Sequence, residues 1–468
     1  MRLWLAGLLA LTACGETSSG RYAGLTWNHD IKPLVEVHCG ECHGKGKLVL
    51  DLPNLPELAG AMVAQVESGR MPPWVPTQES REMVGRREFP PAALASLKRW
   101  LLDPVLGPPE SDAAKARPKV DFGREPDAVL KLPGAGYASK TSAADELRCF
   151  LLPALPTAGW VSGYRWIVER QAAAHHILIG VLKPGDAALA RKLDTADGWD
   201  CNRVALPFVG SLINTSVGPD GGFTYPVGYG VEVPAGGALV LEVHALPLAL
   251  RTPAQFGVEL WLEPHAKPIT AVAFNVPSEV PCALGVSTDP TNRCSREWAI
   301  GRAVDAGARA NNDKILADCG QTLSDYLGSQ SYAEAGPVDH WLAKSSCERR
   351  MPAASRIFSI HPHLHTRARG VRIEACPPSG VCIPLYVTDN YRWVWESSYV
   401  FQEPLDVDSS WIIKLSASWD NGDAAQPSAA TGEPGYDGPA ASPREPQSYH
   451  IADTARDAEM FSVTFERM

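Results

Sequence analysis

Five residues near the start of the chain, Cys39-Gly40-Glu41-Cys42-His43, decide what its first domain can become. Cysteines three residues apart lie one helical turn apart, so both thiols can point the same way, and the adjoining His follows close to that face. This is the attachment sequence of a c-type haem. The thiols add to the porphyrin vinyl groups, and the imidazole ligates iron from the proximal side. A redox dithiol, or a zinc half-site followed by a chance His, is written in the same letters.

The motif sits in a chain of 468 residues, which suggests about three domains. Apolar residues make up 45% and charged residues 21%, so real cores can form and wholesale disorder is excluded. The net charge of −10 argues against nucleic acid as a partner, since phosphate binding rests on clustered Lys and Arg. Gly and Pro number 40 each against 7 Met, the balance of a turn-rich β protein.

The apolar run Met1-Arg2-Leu3-Trp4-Leu5-Ala6-Gly7-Leu8-Leu9-Ala10-Leu11-Thr12-Ala13-Cys14 is too short to span a bilayer, and one positive charge precedes its apolar stretch. Leu11-Thr12-Ala13-Cys14 resembles a bacterial lipoprotein box, which implies that Cys14 is lipidated. An ordinary signal peptide with an incidental Cys is the other reading; both export the chain. Residues 1–20 are then signal and tether, and the expected location is the cell envelope, reached through a lipid anchor alone and most simply the outer membrane. Export favours disulfides. With Cys14, Cys39 and Cys42 set aside, eight of the 11 cysteines remain, and local pairing suggests Cys149–Cys201, Cys282–Cys294, Cys319–Cys347 and Cys376–Cys382.

Residues 22–103 resemble a small class I cytochrome c, an all-α fold. Asn28 to Cys42 reads as the opening helix, Glu67-Ser68-Gly69-Arg70-Met71-Pro72-Pro73-Trp74 resembles the loop that presents the distal Met, and Pro90 to Leu102 reads as the closing amphipathic helix. The resemblance implies one covalently bound haem c held by Cys39, Cys42 and His43, with Met71 as sixth ligand. Met62 and Met83 compete for that role, although Met62 reads as core; His29 and His38 read as surface or packing residues. Residues 104–125 form a linker rich in Pro and polar residues.

From residue 126 the pattern is short β segments, such as Gly163–Val168, Ile177–Leu182, Leu239–His244 and Val258–Leu262, set between Gly and Pro turns as in a sandwich. The histidines gather at His175-His176, at His244 and at His361-Pro362-His363-Leu364-His365. Residues two apart on a strand share a face, so His363 and His365 can reach one metal, and so can His361 and His363. Adjacent His175 and His176 point to opposite faces of a regular strand, so sharing an ion needs a bulge or a frayed end. Zinc, copper and nickel all remain open on these letters.

Residues 126–468 resemble the copper type II, ascorbate-dependent monooxygenases, the family of peptidylglycine and dopamine hydroxylating enzymes. The stretches that carry the resemblance run in the family's order: Glu146-Leu147-Arg148-Cys149-Phe150, Gln171 to Gly180 around His175-His176, Val240-Leu241-Glu242-Val243-His244, Ile357 to His365, and Ala455-Arg456-Asp457-Ala458-Glu459-Met460. Trp419-Asp420-Asn421-Gly422 resembles a turn of bacterial relatives. The resemblance implies two antiparallel, jelly-roll-like β-sandwiches, residues 126–265 and 266–468, and two copper ions. His175, His176 and His244 would hold an electron-relay copper; His363, His365 and Met460 would hold the copper where O2 and substrate react. Two imidazoles with a soft thioether do favour Cu(I). The register His363/His365 follows the family spacing from Phe358 and to Glu374; Met351 is the alternative thioether.

Two departures stand out. The Arg that contacts a substrate carboxylate in the amidating members is His361 here, and a Tyr with the same duty is Thr464, so peptidylglycine is a poor expectation as substrate. Residues 282–350 have no counterpart in the resemblance, read as partly helical over 298–309 and 312–327, and are flanked by cysteines; lid, docking surface and loop elaboration are all open. His265, His340 and His450 read as surface residues. The expected function is therefore a copper monooxygenase that hydroxylates a C–H bond of a small molecule with O2, its electrons passing from an upstream donor through its own haem. The rivals are a non-catalytic electron-transfer or copper-binding lipoprotein and a zinc hydrolase on the same histidines.

Overall fold

The structure, a computed structural model, describes residues 24–43, 55–69, 71–72, 76–108, 122–139, 146–155, 157–169, 174–201, 206, 210–214, 222–245, 252–280, 295–305, 312–329, 342–365, 367–392, 396–420 and 460–468. The chain divides into two compact units, Met1–Pro72 with Glu88–Arg117, and Pro73–Arg87 with Pro118–Met468. Cys14, the tether and most of the 104–125 linker lie outside the described residues.

Every described element of the first unit is helical. A π-helical turn, Trp27–Ile31, runs into α1 (Lys32–His43); α2 (Leu55–Glu67) and α3 (Pro91–Leu102) follow. α2 buries Leu55, Ala59 and Val63, spaced four apart, and α3 buries Ala93, Leu97 and Trp100, so each turns one stripe inward. Pro91 opens α3, at a position whose N–H has no helical partner to lose. The Trp27 and Trp100 rings meet at 5.2 Å between centroids. After α3 the chain folds back: Trp27 N–H donates to the Val105 carbonyl at 2.8 Å, and Asn28 Nδ2 to the Gly107 and Pro108 carbonyls at 3.1 and 2.9 Å.

Among the described residues, the second unit is built from four sheets packed as two sandwiches. The first contains β1 (Ala128–Lys131), β2 (Glu146–Leu151), β3 (Gly159–Val168), β4 (Ala174–Leu182), β5 (Trp199–Asp200), β6 (Gly210–Asn214), β7 (Gly222–Thr224), β8 (Tyr229–Val233), β9 (Ala238–Ala245), β10 (Phe256–Glu263) and β11 (Lys267–Pro268). One sheet runs β1-β10-β3-β8-β11, with β7 also on β3; the other runs β5-β2-β9-β4-β6. β9 is covered on both sides. Leu239, Leu241, Val243 and Ala245 enter the core between the sheets, while Val240 packs with Ala187 and Ala190 of α4 (Pro184–Leu193).

The second sandwich follows with β12 (Thr270–Asn275), β13 (Leu342–Arg350), β14 (Ser355–Leu364), β15 (Ala368–Cys376), β16 (Ile383–Thr388), β17 (Tyr399–Val407), β18 (Ile412–Asp420) and β19 (Phe461–Arg467), in the sheet orders β12-β19-β14-β17 and β13-β18-β15-β16. The strands pass from one sandwich to the other between Pro268 and Thr270. Cys149–Cys201, Cys319–Cys347 and Cys376–Cys382 are bonded as the local pairing suggests. Cys282 and Cys294 lie outside the described residues.

Two boundaries differ from the sequence reading. Residues 73–87, expected within a continuous 22–103 domain, belong to the second unit. There Met83 is buried against Phe401, Val84 N–H donates to the Val400 carbonyl at 2.8 Å, and Ser80 Oγ both donates to the Val387 carbonyl at 3.1 Å and accepts from Val387 N–H at 2.9 Å. Backbone bonding draws this arm to the sheet edge, because an exposed edge strand offers ready partners. The expected insertion of 282–350 is also shorter. It holds α5 (Arg296–Asp305), α6 (Asn312–Asp318) and α7 (Leu323–Ser329), but Leu342–Arg350 pairs with β18 along its whole length as a strand of the sandwich.

Candidate functional site

The face of the second sandwich that looks away from its own core is laid out by one irregularity in β14. The pairing slips between Ile357 and Ser359, and this bulge sends Phe358 out of the sandwich into the core of its neighbour, where it lies 6.1 Å from Tyr225 and 6.3 Å from Phe223. Beyond the slip, Ile360 and Leu364 point into the core, so Ser359, His361 and His363 line up on the opposite face. Across on β19 the partners are Glu466 for Ser359, Thr464 for His361, Ser462 for His363 and Phe461 for Leu364. The next positions in that register are His365 and Met460. Residues directly opposite in an antiparallel pair share a face with Cβ atoms about 5 Å apart. Of these, His365 is buried and Met460 half-buried.

A residue absent from the sequence reading joins this row. Glu396, only 1% exposed, places Oε1 2.5 Å from His363 Nδ1 and 3.0 Å from His361 Nε2. The other nitrogen of His361, Nδ1, lies 3.3 Å from Ser398 Oγ. Both ring nitrogens of His361 therefore face protein partners, whereas His363 gives Nδ1 to the carboxylate and its ring meets that of His365 at 5.2 Å between centroids, edge to face. The donor atoms of His361, His363 and Glu396 all lie within 4.8 Å of one another. No sequence spacing announces Glu396; the one hint is an acid directly after the apolar run Trp393-Val394-Trp395.

On the first sandwich the register answers the difficulty posed by adjacent histidines. His176 stands directly opposite His244 on β9, and the pairing slips between Ala174 and His176, so His175 is the extra residue of a bulge. His244 is buried, and it lies between the core residues Val243 and Ala245, hence on the other face of β9. Cys149, Cys201 and Glu242 also cluster nearby, but both sulfurs are spent in the disulfide and leave no ligand pair.

In the helical unit, Cys39, Cys42 and His43 all fall in the last turns of α1. Cys39 packs at the edge of the cluster of Trp27, Ile31, Val63 and Leu97. Met71 follows α2, half-buried, its N–H donating to the Gln65 carbonyl at 3.0 Å. Met62 packs on the helical core as expected, and His38 lies 5.3 Å from the Phe89 ring. The alternative methionines Met83 and Met351 both belong to the core cluster of the second sandwich. His265 is exposed; His340 and His450 lie outside the described residues.

Between the sandwiches Ser359 Oγ donates to Glu466 Oε2 at 2.7 Å, beside Tyr225. Burial pushes the Glu466 carboxyl up to about 7 from an ordinary 4.5, against the Ser359 and Tyr225 hydroxyls that hold it down.

No protein-family profile and no curated protein matches this chain. Solved structures with a weak likeness include an allantoicase, 10% identical over 61% of this chain and 80% of that one with a TM-score of 0.16. The allantoicase of Saccharomyces cerevisiae is 11% identical over 66% and 81%, with a TM-score of 0.16. Procruciferin, an 11S globulin of Brassica napus, is 8% identical over 73% and 83%, with a TM-score of 0.14. At these scores the likeness carries no argument about function.

Proposed function

We propose that the chain is a copper-dependent monooxygenase of the type II, ascorbate-dependent kind, with a class I cytochrome c as its first domain, jelly-roll-like sandwiches as its second and third, and a lipid anchor at Cys14 holding it in a bacterial envelope. The observation that supports this reading is the register of β14 and β19, which puts His363 opposite Ser462 and ends at Leu364 and Phe461, the residues that adjoin His365 and Met460. The opposition of His176 and His244, with the slip at His175, supports the companion site.

The donor sets fit the metals. Two imidazoles and a thioether suit Cu(I), and three imidazoles suit a copper that cycles between oxidation states. When bound, the coppers supply one-electron redox chemistry and activation of O2, and the haem held by Cys39, Cys42, His43 and Met71 supplies electrons one at a time. The chain's own contribution is orientation and access. His365 and Glu396 are buried, and His363 and Met460 are half-buried. The positions of the missing carboxylate clamp, His361 and Thr464, are direct cross-strand partners, so whatever substrate enters meets a histidine and a hydroxyl there in place of an Arg and a Tyr.

Stopped-flow spectroscopy of the reduced, copper-loaded, haem-bearing protein mixed with O2 tests the coupling: haem oxidation should be faster than in copper-free protein, and equal rates overturn it. Substrate-dependent incorporation of labelled oxygen separates an oxygenase from an electron carrier. A second reading rests on the cluster of His361, His363 and Glu396, a two-histidine, one-carboxylate set of the sort that holds non-haem iron(II). Metal analysis of the purified protein distinguishes them, iron in the β unit replacing copper.

A further inference from the structure

We infer that Glu396 is the positioning residue of the proposed oxygen-reacting pocket: one buried carboxylate oxygen selects the tautomer of His363, commits its Nε2 to the metal and withholds His361 from coordination. This rests on the copper reading above and deepens it.

The inference follows from which atoms must be donors. A carboxylate oxygen only accepts, so the contacts at 2.5 Å to His363 Nδ1 and 3.0 Å to His361 Nε2 require a proton on each of those nitrogens. With neutral rings, the second nitrogen of each then carries a lone pair. On His361 that is Nδ1, which accepts from Ser398 Oγ–H at 3.3 Å, so the ring is held at both ends and is a poor ligand. On His363 it is Nε2, and the 5.2 Å approach of the His365 ring puts both imidazoles at the same pocket. Without the carboxylate, His361/His363 and His363/His365 are equivalent same-face pairs. With it, His361 has a protein group at each ring nitrogen.

In the metal-free chain the separation of Glu396 and His363 is that of a hydrogen bond, closer than two ligands of one ion stand. Two atoms bound to one ion by bonds of roughly 2.1 Å stand about 3 Å apart at a right angle, and wider at tetrahedral angles. At 2.5 Å the carboxylate and His363 Nδ1 are in a hydrogen bond, the arrangement by which outer carboxylates fix and strengthen metal-binding imidazoles. An ionised carboxylate beside a site stabilises a dication more than a monocation. Glu396 should therefore favour Cu(II) over Cu(I) at this site.

The test is competition titration of the full-length protein with Cu(II) and, separately, Cu(I). Glu396→Gln should weaken Cu(II) binding roughly 10–100-fold, as loss of such outer partners does, and Cu(I) binding by less. A Cu(II) affinity equal to the wild type overturns the inference. If the wild type binds no copper that His363→Ala and His365→Ala remove, the copper reading has failed instead. Should Glu396→Gln not fold, nitrogen-15 NMR of labelled histidine in the unmodified, metal-free protein still decides: His363 protonated at Nδ1 is expected, and the Nε2–H tautomer overturns the inference.

Discussion

Glu466→Gln should abolish a pH dependence that the seam between the sandwiches builds into the fold. The wild-type carboxyl is raised to about 7 in the folded chain from 4.5, so the native state holds a proton that the unfolded state has released across that window. Stability contributed by the protonated group is complete below the unfolded value and is lost as pH rises through the folded one. At about 1.4 kcal/mol per pH unit of separation, keeping Glu466 ionised in the seam costs about 3 kcal/mol above pH 7. The amide keeps the shape and can still accept from Ser359 Oγ–H, but it has no proton to lose. Urea unfolding of the full-length pair, read by the fluorescence of the buried Trp166 and Trp419, gives the difference free of every other titrating group. The variant should gain about 1–3 kcal/mol at pH 8 and change by less than about 1 kcal/mol at pH 4. A difference that is the same at both pH values refutes the reasoning.

Phe358→Ala, which empties the ring seated between Tyr225 and Phe223, should cost about 3–5 kcal/mol in the same assay. Ser80→Ala removes both bonds to Val387 and should cost about 1–3 kcal/mol, with faster proteolytic cutting within residues 76–87 as the local readout. Met351→Leu should cost less than about 1.5 kcal/mol and leave copper content unchanged, because Met351 fills the sandwich core and does not face the histidine row.

The strands around the histidines were legible because their residues alternate or run apolar: Ile177–Leu182 and Leu239–His244 lie within β4 and β9. Even the bulge at His175 was readable, as the condition adjacent histidines impose on a shared site. β13 escaped notice because its inward residues, Ala343, Ser345 and Cys347, are small or polar and alternate with Lys344, Ser346 and Glu348, so the period is present without the hydrophobic contrast that normally reveals it. Glu466 escaped for a related reason. Ser462, Thr464 and Glu466 read as the wet face of β19 beside core Phe461, Val463 and Phe465, yet at Glu466 that face meets the other sandwich. Glu396 reaches His363 across 33 residues of chain, and nothing local encodes such a meeting. The departure of residues 73–87 from the helical unit is likewise decided by a sheet edge formed from distant strands.

X-ray absorption at the copper edge of the reduced, copper-loaded protein reads the Met460 thioether directly. A sulfur shell in the wild type that vanishes in Met460→Ile, with the imidazole scattering retained, is the predicted result. Nitrogen-only coordination in both proteins, or a sulfur shell that survives the substitution, would contradict a pocket made by His363, His365 and Met460.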